Sequence, residues 1–321
     1  MRSDIPNNLK IIVTGGEGFI GTNLCKRLKK LYNSKILSID NNISNSLNSK
    51  FHEGISNLVR TDLNDIEKIV SLIKSSDLVI HLAASGNVIE SVQDPIKNFE
   101  NNVLSTLNLL EAIRLSKIKT VIFASTGGAL MGNTKPPVNE KSVPKPISPY
   151  GASKLSCEGY LSAYSESYDV KTFALRFGNV YGPYSLHKKG VINKWIKDSL
   201  KDNNLVIYGD GNSTRDYIYV DDICLGIEKC IEYSFRRDIN NNFEKFHLAN
   251  NEEISLNHLS QLIISKTNSK SKVIFKQLRK GEVIRNFADI KKAKKVLNFE
   301  TKVSLDEGLN KTIKWLSKYC S

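Results

Sequence analysis

Apolar positions along the first half of the chain follow two alternating rhythms. Residues 10–13 form a short β-branched run, and a glycine-rich turn leads into an amphipathic stretch over 19–31. Strand-like runs recur at 35–39, 58–60, 78–82, 120–124 and 171–176, with helical spacing between them at 65–74, 95–116 and 149–168. On the long helix Val103, Leu104, Leu107, Leu110 and Ile113 share one face, which either meets the sheet or a second protein. Strands alternating with helices predict an α/β fold, a doubly wound parallel sheet of nucleotide-binding type. After Arg176 the rhythm breaks at Gly178, Gly182, Pro183 and Gly190. Shorter elements follow at 192–201, 205–208, 222–232, 243–248, 256–266 and 273–275, then two C-terminal helices, with 236–242 a polar exposed loop. The expected division is a cofactor domain over 9–178, with 205–233 returning to it, and a smaller α/β substrate lobe over 179–204 and 234–321.

Several segments carry chemistry. Thr14-Gly15-Gly16-Glu17-Gly18-Phe19-Ile20-Gly21 joins the first strand to the first helix. Glycine there permits a tight turn and brings backbone N–H groups close to a pyrophosphate at the helix N-terminus. The second strand ends in Asp40, where a carboxylate accepts from a ribose 2′-hydroxyl and disfavours a 2′-phosphate, so the cofactor read is NAD. Asp62 reads equally as an adenine contact or as a helix cap. His81 opens His81-Leu82-Ala83-Ala84, whose small residues leave room for a cofactor; alone it reads as a core histidine. Ser148-Pro149 caps the helix that begins Tyr150-Gly151-Ala152-Ser153-Lys154. Tyr150 and Lys154 are one turn apart, and an ammonium there is expected to lower the phenol pKa and make it a general base. Tyr184 and Lys188 have the same spacing but lie in the Gly/Pro loop, so Tyr150 is the better candidate.

Composition removes other classes. The 321 residues contain no apolar run of membrane-spanning length, and the polar start reads as no secretion signal, so the expectation is a cytoplasmic protein. Cys25, Cys157, Cys224, Cys230 and Cys320 are odd in number with no C-x-x-C, which fits free thiols. The histidines show no ligand spacing, so no metal is expected. Net charge is +13, but 36 of the 46 cations are lysine, spread along the chain beside 32 asparagines. That dispersion argues against nucleic acid and suits an anionic substrate.

With these segments in this order, the chain resembles the extended short-chain dehydrogenase/reductases. The likeness continues through Arg176-Phe177-Gly178-Asn179-Val180-Tyr181-Gly182-Pro183, Gly209-Asp210-Gly211, Thr214-Arg215-Asp216-Tyr217-Ile218-Tyr219-Val220-Asp221-Asp222 and Arg279-Lys280-Gly281-Glu282. The pattern is most like the NAD-dependent nucleotide-sugar epimerases and dehydratases, above all the UDP-glucose and UDP-N-acetylglucosamine 4-epimerases. The resemblance implies a Rossmann domain with NAD held by Gly15, Gly18, Phe19, Ile20, Gly21, Asp40, Asn41, Asn45, Ser46, Asp62, Leu63, Leu82, Ala83, Ala84 and Asn101, together with Tyr150 and Lys154. Asn179, Arg215 and Arg279 would bind the UDP part, since guanidinium groups pair bidentately with phosphate. The implied reaction removes hydride from C4 of the sugar, turns the 4-keto sugar over, and returns hydride to the other face. It also implies a homodimer built on helices 95–116 and 149–168.

Departures narrow the reading. After the fifth strand stands Ser125-Thr126-Gly127-Gly128-Ala129-Leu130-Met131-Gly132. Relatives place their hydroxyl residue at the position of Gly127, so the role passes to Thr126 or Ser125, with Thr126 favoured. Met131 replaces a usual tyrosine. The related dehydratases carry an Asp-Glu pair where Gly127-Gly128 stand here. Asn286 falls where plain-hexose epimerases have a bulky tyrosine, which would open space for a 2-acetamido group; otherwise it is an exposed turn residue. The expected substrates are UDP-N-acetylglucosamine and UDP-N-acetylgalactosamine, with UDP-glucose and UDP-galactose as further candidates. The alternatives are another nucleotide-sugar enzyme of the group or a non-catalytic NAD-binding protein.

Overall fold

The computed structural model describes residues 8–32, 35–41, 52, 54–236, 239, 241–279 and 283–319. Seven parallel strands form the main sheet: β1 (Lys10–Thr14), β2 (Lys35–Asp40), β3 (Asn57–Arg60), β4 (Leu78–His81), β5 (Thr120–Thr126), β6 (Lys171–Phe177) and, later in the chain, β11 (Phe243–Leu248). Their order is β11-β6-β5-β4-β1-β2-β3. Strand order reverses between β1 and β4, which opens a crevice at their C-terminal ends, where such sheets bind ligands. β4 reads Leu-Val-Ile-His and is buried along its whole length, as expected of a strand covered on both faces.

One apolar layer packs α1 (Phe19–Tyr32) and α9 (Val220–Ser234) on the sheet through Leu24, Leu28, Ile223 and Ile227. The opposite layer seats α2 (Ile66–Ile73), α5 (Ser105–Arg114) and α7 (Pro149–Tyr168) through Ile69, Leu109, Leu110, Ile113 and Leu161. Before α5 come α3 (Val88–Gln93), α4 (Pro95–Phe99) and a π-turn over Glu100–Leu104. The helix expected over 95–116 is therefore one helical run with a π-turn in it. Its apolar stripe faces the sheet, with Val103, Leu110 and Ile113 buried, whereas Leu104 points outward.

The lobe has its own core around Trp195, Ile207, Tyr217, Tyr219 and Leu309. Short strand pairs build it: β7 (Asn179–Tyr181) with β10 (Tyr217–Tyr219), β8 (Leu205–Tyr208) with β13 (Val273–Lys276), and β9 (Thr214–Arg215) with β12 (Ile254–Ser255). Around them lie α8 (Val191–Ser199), α10 (Leu256–Thr267) and α12 (Leu305–Leu316); α11 (Lys291–Leu297) packs instead on the main-sheet side through Ala293 and Leu297, and α6 (Gly128–Met131) is a single turn after β5. Besides α11, two further stretches depart from the expected division. Residues 205–208 do not return to the main sheet, because β8 finds its parallel partner in β13 of the lobe. Residues 243–248 do belong to the main sheet, because Phe246 and Leu248 cover the open edge of β6. Within 205–233, α9 and Ile218 of β10 pack back on the sheet side.

Candidate active site

The glycine turn is shaped by close approach. Gly15 has φ +71°, in the left-handed region, and a Cβ there would lie 2.6 Å from the backbone nitrogen of Ala83. A Cβ on Gly21 would collide with the Gly15 carbonyl. The result is a cleft of about 750 Å³. Its wall includes Gly15, Gly18, Phe19, Ile20, Gly21, Asp40, Asn41, Asp62, Leu63, Leu82, Ala83, Ala84 and Asn101. Every expected cofactor residue on β1, β2, the β3 end, β4 and the π-turn is thus brought to one cleft, while Asn45 and Ser46 lie outside the described residues. Asp40 Oδ2 accepts from the Glu17 N–H at 3.1 Å, which fixes its carboxylate at the glycine turn.

Asp62 is not a helix cap. It accepts from the Asn64 N–H within its own turn, and Asp65 caps α2. His81 is a satisfied core histidine: Nδ1 meets the Thr14 hydroxyl at 2.6 Å and Nε2 the Thr106 hydroxyl at 3.0 Å. Burial and the Lys154 ammonium push its pKa down to about 3. Sequence reasoning missed several cleft residues, namely Glu17, Ser85, Ser105, His187 and Lys188. It also missed Asn102, which ties the π-turn to the site: its amide accepts from Ser85 N and donates to Ser85 O and Ser153 Oγ.

Ser148 caps α7 by accepting from the Gly151 N–H, and Pro149 fills the first turn, as the sequence predicts. Tyr150 follows on that turn, and its phenol faces the side chain of Thr126 at the end of β5. Lys154 is 3% exposed, and its Nζ donates to the Ala124 carbonyl at 2.8 Å; Ala124 itself lines the cleft. Burial lowers the Lys154 pKa to about 8. The phenol departs from expectation: burial pushes Tyr150 up to about 12, against the opposing pull of Thr126. Lys154 does not lower it, because the ammonium is turned to the Ala124 carbonyl.

Ser125 points the other way, as alternation along a strand requires. Its Oγ donates to Glu158 Oε1 at 2.6 Å, behind the sheet end, so Ser125 does not face Tyr150 as a catalytic hydroxyl would. Met131, at the place of the usual tyrosine, is fully buried in the main core.

The four substrate candidates lie in the lobe, beyond the cleft wall. Asn179 opens β7, and its N–H donates to the Asp216 carbonyl, which places it beside Arg215 at the end of β9. Arg215 Nη1 donates to the Thr214 carbonyl at 2.7 Å. Arg279 stacks with its guanidinium carbon 3.4 Å from the Tyr208 ring centroid. Asn286 is 5% exposed rather than an exposed turn residue. Its N–H donates to Thr214 O, and its Oδ1 would lie 3.3 Å from a Cβ on Gly128, so it bridges the lobe to the turn after β5. The buried carboxylate of Asp216 holds this bridge by accepting from the N–H groups of Asn250, Asn251 and Ala288. Burial raises its pKa to about 7.

Comparison with known proteins agrees with this geometry. The model of the NAD dependent epimerase/dehydratase family matches residues 11–243. The chain superposes on the UDP-glucose 4-epimerase of Thermotoga maritima with TM-score 0.90 at 32% identity, covering 98% of this chain and 100% of that one. The UDP-N-acetylglucosamine 4-epimerase of Methanobrevibacter ruminantium gives TM-score 0.87 at 32% identity, with 97% and 99% covered. The UDP-glucuronic acid 4-epimerase of Bacillus cereus, solved with UDP-glucuronic acid and NAD, gives 0.88 at 29%, also with 97% and 99% covered. Cleft, strand order and matched length converge: the chain belongs to the NAD dependent epimerase/dehydratase family.

Proposed function

We propose that the chain is an NAD-dependent 4-epimerase of UDP-sugars that interconverts UDP-N-acetylglucosamine and UDP-N-acetylgalactosamine, with UDP-glucose and UDP-galactose as further substrates. The observation that carries the reading is the grouping of Tyr150, Thr126 and Lys154 beside a glycine-cradled cleft, with Lys154 Nζ donating to the carbonyl of the cleft residue Ala124. Gly127-Gly128 supply no carboxylate for water loss, which disfavours a dehydratase. The cleft fits NAD, since side chains at Gly15 or Gly21 would close its cradle and Asp40 is set to accept from a ribose hydroxyl. NAD, when bound, supplies a positively charged ring and a hydride acceptor that gives the hydride back.

The chain's residues do the rest. Tyr150 takes the proton of the sugar 4-hydroxyl and later returns it. Thr126 holds the phenol oriented and donates toward the reacting oxygen. Lys154, whose Nζ donates to the Ala124 carbonyl, would hold the cofactor's nicotinamide ribose. Arg215, Arg279 and Asn179 hold the UDP part, so that the sugar alone is free to turn.

Asn286 supports the acetamido preference. Its Nδ2 is buried with no hydrogen-bond partner among the described residues, a donor left for a sugar substituent. A UDP-N-acetylglucosamine 4-epimerase is among the structures the chain resembles, alongside UDP-glucose and UDP-glucuronic acid 4-epimerases. Asn286→Tyr is expected to lower kcat/KM for UDP-N-acetylglucosamine at least about tenfold while sparing UDP-glucose. Equal losses on both sugars would refute the gate.

A homodimer and a cytoplasmic location belong to the same reading. Val92, Ile96, Phe99 and Tyr160 expose apolar surface on the outer side of α3, α4 and α7. Four cysteines are buried as free thiols, which suits a reducing compartment.

A further inference from the structure

Thr126 ends β5 and Tyr150 sits on the first turn of α7, so bringing their hydroxyls together requires those two elements to be held in register. Behind them lies an ion pair that no step of the proposed reaction uses. Arg176 on β6 and Glu158 on α7 are 1% and 4% exposed. Arg176 Nε donates to Glu158 Oε1 at 2.9 Å and Nη2 to Oε2 at 2.6 Å. Ser125 donates to the same carboxylate. One buried group thus joins β6, the residue before Thr126, and the helix that carries Lys154 and Tyr150 one and two turns earlier. His247, the register partner of Arg176 on β11, closes the turn from below: a Cβ on Gly127 would lie 3.2 Å from its Nδ1.

Stability does not account for this arrangement. Burying two charges costs about as much as their attraction returns, and apolar replacements are commonly as stable. Arg176 Nη1 is moreover buried with no hydrogen-bond partner among the described residues. What a forked pair supplies is direction. We propose that the Glu158–Arg176 pair, acting through Ser125, is the positioning device of the acid–base site. It holds the end of β5 against α7 so that the Thr126 hydroxyl meets the Tyr150 phenol. This inference rests on the roles given to Thr126 and Tyr150 above.

A double-mutant cycle on the NAD-loaded protein tests it. Ser125→Ala leaves the ion pair and cuts its link to β5; Glu158→Gln weakens the pair itself. Each is expected to lower kcat for the UDP-sugar about ten- to a hundredfold, with KM changed less than about twofold. In a Thr126→Val background the same changes should add little, because their effect runs through Thr126. Additive losses, or a Ser125→Ala enzyme with full kcat and only a lower Tm, overturn the proposal. If Glu158→Gln does not fold, Ser125→Ala carries the cycle. Wild-type turnover is measured first, and its absence counts against the proposed function alone. In that event crystal structures decide: the proposal requires the Thr126–Tyr150 hydrogen bond in the wild type and its loss in Ser125→Ala.

Discussion

At the scale of single residues, neighbouring hydroxyls have opposite fates because a strand alternates its faces. Ser125 is spent on Glu158 and Thr126 meets Tyr150. The sequence places both at the end of a strand, but which one faces the phenol depends on where α7 packs, and that is not local information. Thr126→Val is expected to lower kcat about a hundredfold and Tyr150→Phe about a thousandfold or more, with NAD retained in both. Steady-state kinetics and cofactor absorbance check this. Lys154 gives a stability test with a definite sign. Its folded pKa of about 8 lies below its ordinary 10.5, so the native protein bears the full cost of the buried charge below pH 8. Between those values the unfolded chain holds a proton that the native chain releases, and this group's contribution to stability rises with pH. Cofactor-free Lys154→Met should therefore melt a few degrees higher than wild type at pH 7, have no activity, and lose that advantage near pH 10.5. An unchanged or lower Tm at pH 7 would show that the buried ammonium carries no such cost.

Elements that impose their own backbone geometry were legible from sequence. The turn from β1 to α1 needs glycine at fixed places, and the α7 cap needs Ser148-Pro149; both appear as read. The π-turn over Glu100–Leu104 was not legible, because helical spacing continues across it and only the ties of Asn102 to Ser85 and Ser153 show what it accomplishes. The strands β7, β9, β10 and β12 were missed for a related reason: two or three residues carry no period, and their partners lie far along the chain. The glycine argument predicts that Gly21→Ala, whose Cβ would meet the Gly15 carbonyl, purifies with far less NAD and a lower Tm. Full cofactor content in that variant would refute the cradle.

Over the whole molecule, the doubly wound sheet and the lobe follow from the order of elements, and strand alternation alone predicts a crevice at the switch point. The boundary between the parts was misplaced because 205–208 and 243–248 both read as short buried strands, and only pairing says which sheet each enters. The outer apolar row is tested by Ile96→Glu with Phe99→Glu, at 69% and 53% exposure in one protomer. This pair should turn a dimer into a monomer in light scattering without unfolding it; a wild-type monomer would contradict the dimer. The central claim is tested most directly by incubating purified protein with UDP-N-acetylglucosamine, no cofactor added, and identifying the products. The account predicts UDP-N-acetylgalactosamine, formed with the NAD that the protein carries from purification. Unchanged UDP-N-acetylglucosamine and UDP-glucose, on protein shown to hold NAD, would contradict it.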